Sequence, residues 1–135
     1  MARSDAKVKY LLIMCIITGA ALTDFITGYI KAYVKGRVNS QKMRIGGAHK
    51  ICELIVMLAI IGLDNGLKEL GKYYDSPELA NLTGTLSITS TFVYLLIMEI
   101  ISVLENLSDI FPQAEKLKKI IKKLKLLGSD DDNGP

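Results

Sequence analysis

The sequence predicts an all-α integral membrane protein with three short hydrophobic helical segments, a basic amphipathic C-terminal helix and a disordered acidic tail. Three observations predict it. First, the apolar residues are clumped. Tyr10–Thr23 and Leu54–Leu63 carry no charge, and Leu79–Met98 is twenty residues without one, close to the length that spans a bilayer. Second, charge is segregated. Residues 31–50 hold six cations and no acid, residues 64–78 hold four acids and two lysines, and residues 113–127 hold six lysines and one acid. Such blocks suit loops sorted to two sides of a membrane. Third, one acid, Asp24, is embedded in the first apolar stretch and is followed only by positive charge as far as Lys50. A chain of 135 residues is expected to form one domain, here 1–127, with 128–135 as its tail. Half of the residues are apolar, which a soluble four-helix bundle could also use, but clumped runs favour lipid.

The first segment, about 10–35, is helical by its Leu, Ile, Met and Ala content. A basic start (Arg3, Lys7 and Lys9 against Asp5) and small residues Gly19-Ala20-Ala21 resemble a cleaved signal peptide, but the pattern runs on past the cleavage point. Ala20, Asp24, Gly28, Ala32 and Gly36 recur every four residues, so they lie near one helix face. Small side chains there allow close helix–helix approach, and Ala20, Asp24, Gly28 and Ala32 are the candidate oligomer or helix-packing row. A carboxylate at membrane depth must face protein or water. No cation follows Asp24 one turn on, so its expected partner is Lys31, Arg44, Lys50 or another copy.

Lys31, Lys35, Arg37, Lys42, Arg44 and Lys50 are read as a basic cytoplasmic loop, broken by Gly36, Asn39-Ser40 and Gly46-Gly47. The second segment, about 50–63, is short, so it spans only with bilayer thinning or snorkelling. Lys50 and Glu53 are spaced to pair across a turn. Asp64-Asn65-Gly66 reads as a turn, and Ser76-Pro77-Glu78 as a helix start. In the third segment, about 79–107, hydroxyls crowd the first half. Thr83, Ser87, Ser90 and Tyr94 are candidate lumen-lining residues, with packing between helices as the competing role. Glu99, Ser102 and Asn106 share a face in the second half. Asp24, Glu53 and Glu99 are the candidate buried or lumen-facing charges. Helix 113–127 has Leu117, Ile120, Ile121, Leu124 and Leu127 on one face and lysines on the other, suited to an anionic leaflet or a partner helix. The tail 128–135 is acidic and solvated.

The residues exclude several chemistries. There is no phosphate loop, no nucleophile with a base and no ligand cluster, and with one histidine and two cysteines neither a metal centre nor a cofactor is expected. Cys15 and Cys52 read as small packing residues. Glu99 and Glu105 lie six residues apart, on different faces, so they are no acid–base couple. The basic run lacks any recognised nucleic-acid module, so no nucleic-acid partner is expected.

Asp24-x-x-Thr27-Gly28-x-x-Lys31-Ala32, then Gly36, Ser40, Gly46 and Lys50, then Glu99-Ile-Ile-Ser102-x-x-Glu105-Asn106 and Pro112, resemble the small phage holins of the toxin-secretion/phage-lysis family over roughly residues 10 to 125. The resemblance implies a non-enzymatic, multi-pass protein of the bacterial cytoplasmic (inner) membrane. It implies homo-oligomers in membrane lipid, large non-selective pores, and endolysin or a large toxin as passing cargo. The competing classes are a non-pore membrane protein, such as an antiholin or anchor, and a small selective channel, for which no ring motif is evident.

The positive-inside bias places residues 31–50 and 113–127 in the cytoplasm and residues 64–78 outside. Three spans then put the N-terminus outside. The alternative keeps it inside, with Tyr10–Ile30 in the inner leaflet and two true spans.

Overall fold

The computed structural model describes residues 2–111 and 115–128. It contains four helices: α1 (Ala2–Val34), α2 (Ser40–Tyr73), α3 (Pro77–Ile110) and α4 (Glu115–Gly128). Among the described residues the fold is all helical. The first three helices run up, down and up, and each is long and apolar enough to cross a membrane. The tail 129–135 and residues 112–114 lie outside the described residues.

Two tight turns set this topology. α1 ends where Gly36 takes φ +61°. There Arg37 N–H donates to Ala32 O at 2.9 Å and Gly36 N–H to Tyr33 O at 3.0 Å, which satisfies carbonyls the helix end leaves free. The Asn39 side chain then caps α2, accepting from the N–H groups of Gln41 (2.8 Å) and Lys42 (3.1 Å). At the other end Asp75 adopts φ 52°, Ser76 N–H donates to Gly71 O at 2.8 Å, and Pro77 opens α3 as the sequence predicts.

The second element differs most from expectation. It is 34 residues long, about 50 Å at 1.5 Å per residue against about 30 Å of hydrocarbon, so no bilayer thinning is needed. Neither Gly46-Gly47 nor Asp64-Asn65-Gly66 interrupts it. Inside a bilayer a break would strand backbone N–H and C=O groups without water, so the helix continues through residues that punctuate soluble chains. Asn65 joins the helix, its Nδ2 donating to Ile61 O at 2.9 Å, and Asp64 turns inward. The expected basic loop is therefore mostly helix. Only residues 35–39 connect α1 to α2, while Lys31 belongs to α1 and Lys42, Arg44 and Lys50 to α2. α1 starts well before its expected bound of 10 and ends at Val34, and α3 runs past both expected bounds of 79 and 107.

The interior is narrow. Ile17, Met57, Ile88 and Leu95 form its centre, flanked by Tyr10, Ile13, Met14, Leu54, Ile60, Ile61, Phe92 and Leu96. Large apolar side chains such as Leu11, Leu12, Ile16, Ile55, Leu58, Leu82 and Val93 point outward. In water this distribution would be costly; against acyl chains it is the expected one. Cys15 and Cys52 also lie on the outward surface. They do not fill the interior as expected, because the inward positions follow other rows of their helices. α4 folds back onto the end of α3. Ile121 is buried there, Ile120 remains exposed, and Lys125 pairs with Glu105.

Candidate functional site

Inward positions recur every seven residues: Tyr10, Ile17, Asp24 and Lys31 on α1, and Lys50, Met57, Asp64 and Gly71 on α2. A seven-residue repeat keeps one seam of a helix facing its neighbours. Where the two rows meet, Asp24 with Lys50 and Tyr10 with Asp64 are polar and Ile17 with Met57 is apolar, so ionisable groups are drawn into the middle of a membrane-length bundle.

The larger polar cluster surrounds Lys50. Its Nζ lies 2.9 Å from Asp24 Oδ2 on α1, 2.7 Å from Glu99 Oε2 on α3, and 3.5 Å from Glu53 Oε2 one turn along α2. Glu99 is 1% exposed and Asp24 8%. Asn106 extends the network. Its Nδ2 donates to Asp24 Oδ1 at 2.9 Å, and its Oδ1 accepts from Lys31 Nζ at 2.9 Å. Lys31 and Lys35 then pair with Asp109 at 3.1 and 3.3 Å. A continuous polar path therefore runs from Glu99 to the α1–α2 turn. Lys50 joins three helices through a single ammonium, and Glu53 Oε2 and Glu99 Oε1 are buried without a hydrogen bond. Three carboxyl groups surround the single Lys50 ammonium, and Lys31 reaches the same network through Asn106.

The smaller cluster lies near the opposite end. Asp64, 1% exposed, accepts from the Tyr10 hydroxyl and from Lys68 Nζ at 2.7 Å, and Lys68 also donates to Tyr10 Oη at 3.0 Å. Gly84 of α3 sits against Asp64, where a Cβ would collide with the carboxylate. Asp64-Asn65-Gly66 carries the pattern of a turn, and that pattern hides this cluster in the sequence. The seven-residue spacing from Lys50 and Met57 was the available signal.

The remaining candidate residues fall as follows. Ala20, Gly28 and Ala32 are half-buried, and a Cβ on Gly28 would lie 3.4 Å from Asn106 Nδ2. That part of the row therefore faces α3 of the same chain. Thr83, Ser90 and Tyr94 are exposed on α3 and Ser87 is half-buried, with its hydroxyl donating to Thr83 O at 2.9 Å. Arg37, Lys42 and Arg44 are exposed near the turn. Among the described residues no group of His, Cys, Asp and Glu could hold a metal ion.

Three membrane-length helices held by buried ion pairs define a small multi-pass membrane protein. The sequence model of the bacteriophage holin family matches residues 5–126, and the chain belongs to that family. It is a holin, a membrane protein of phage lysis, and the family is not one of enzymes. No curated protein and no solved structure matches the chain.

Proposed function

We propose that this holin oligomerises in the host cytoplasmic membrane into a large non-selective lesion through which endolysin, or a large toxin, leaves the cell. Family membership supports the lytic role. The observation that carries the pore reading is the outer face of α3. Thr83, Ser90 and Tyr94 present hydroxyls on the surface of a membrane-length helix, where lipid gives them no partner. Neighbouring copies or a water-filled lumen would supply one. Asp24, Glu99 and Asp64 each have a cation within the chain and need no second copy for that partner. Assembly on this reading uses the hydroxyl strip and the outward apolar surface, while the Lys50 cluster holds each subunit together.

The test is induced expression in bacteria carrying a large cytoplasmic reporter enzyme and a co-expressed endolysin. The expected result is an abrupt, timed loss of the reporter and lysis that depends on endolysin. Ion leakage with full retention of the reporter would exclude a large lesion and leave a small channel. Continued growth without leakage would leave the antiholin or anchor.

A further inference from the structure

α1 and α2 pack mainly against α3 and only loosely against each other, and a groove runs between them. At the turn end it opens into a cavity of about 280 Å³ walled by Phe25, Tyr29, Met43 and Gly46, with Arg37 and Lys42 among its lining residues. It continues into a second cavity of about 240 Å³, bounded by Leu22, Gly47, Ile51 and Leu54. Phe25 and Lys50 line both. Gly46 has nothing within 4 Å of a would-be Cβ, and one on Gly47 would meet the Phe25 ring at 3.8 Å. The two glycines thus keep the floor of the groove low.

Charge and length say what fits. Among the described residues no ion pair or hydrogen bond engages the side chains of Arg37 and Lys42, whereas Lys31 and Lys50 are already paired. The mouth therefore offers two free cations. The twelve helical steps from Lys42 to Leu54 rise about 18 Å, and one leaflet of hydrocarbon is about 15 Å deep. A soluble anion would account for the mouth but not for the apolar trough. A zwitterionic lipid would bring its own cation against Arg37 and Lys42.

We propose that the α1–α2 groove binds one anionic phospholipid, its phosphate held by Arg37 and Lys42 and one acyl chain lying past Phe25 to Leu54. Such a site would anchor the turn end of the bundle to the leaflet richer in anionic lipid.

Native mass spectrometry of the full chain in micelles tests this, with phosphatidylglycerol and phosphatidylcholine supplied in equal amounts and glycerol phosphate as a soluble competitor. The expected result is one retained phosphatidylglycerol per chain. Removing two phosphate-facing cations in an Arg37→Ala/Lys42→Ala variant should weaken it about thirty-fold. Gly47→Leu, which fills the trough without touching the mouth, should weaken it as well. Lys122→Ala/Lys123→Ala on α4 should leave it unchanged. Equal retention of phosphatidylcholine, or unchanged retention in the double mouth variant, would overturn the proposal. Competition by glycerol phosphate at lipid-like concentration would show a free phosphate site instead and also overturn it. Exclusion of the lipid on dimer formation would assign the groove to a second copy, with the same consequence.

Discussion

Replacing Lys50 with Met tests the central role of its ammonium in joining the three helices. Met keeps the length and the apolar stem and removes only the charge. Asp24 and Glu99, both buried, then lose the cation that lies 2.9 and 2.7 Å from them. Removing one partner of a buried ion pair costs about 3–5 kcal/mol, because the other charge is left uncompensated. A loss of about 3–4 kcal/mol in the opening free energy of the bundle corresponds to roughly 200- to 1,000-fold. Amide hydrogen exchange of residues 50–61 in micelles reads it, since protection of a membrane helix tracks the free energy of local opening. The expected outcome is faster exchange by two to three orders of magnitude in α2. The effect should be partly restored in Lys50→Met/Glu99→Gln, where one buried carboxylate has become neutral. Exchange in Lys50→Met within about threefold of the parent chain would refute the reasoning, and so would a double variant no better than the single one.

Gly84→Ala should loosen the opposite end by about 1–3 kcal/mol, since the new methyl would displace the Asp64 carboxylate. Gly62→Ala, which has open space around it, is the control, and exchange of residues 61–70 is the readout. Thr83→Leu/Ser90→Leu should leave insertion intact and delay lysis, because the exposed hydroxyls of α3 are lost; an unchanged lysis time with the same crosslinked ladder would remove them from the assembly surface. For topology, a cysteine at Ser4 in a chain lacking Cys15 and Cys52 should react with a membrane-impermeant maleimide on intact spheroplasts. Protection until permeabilisation would place the N-terminus inside and reduce the spans to two.

Much of this fold was legible because lipid imposes simple rules on composition. An uncharged run such as Leu79–Met98 has few soluble alternatives, and Ser76-Pro77 marks a helix start whatever lies around it. The same rules explain the failures. Gly46-Gly47 and Asp64-Asn65-Gly66 carry turn chemistry that holds in water, where a broken helix can hydrogen-bond to solvent. The expected length of the second segment falls short for the same reason, since Lys50 and Asp64 bound an uncharged run and yet are inward-facing members of a longer helix.

The sequence by itself determined the class of this protein: an all-α membrane protein with three apolar helical segments and segregated charge, with Asp24 and Glu99 requiring shelter from lipid. Only the tertiary structure decided where that shelter comes from. Asp24, Lys50 and Glu99 are separated by 26 and 49 positions in the chain, and no local pattern states that one ammonium serves all three. The antiparallel registration of α1, α2 and α3 does so by stacking the seven-residue rows layer on layer. That registration is set by how Ile17, Met57, Ile88 and Leu95 interlock. Packing of this kind depends on three helices at once, so it becomes visible only when they are together.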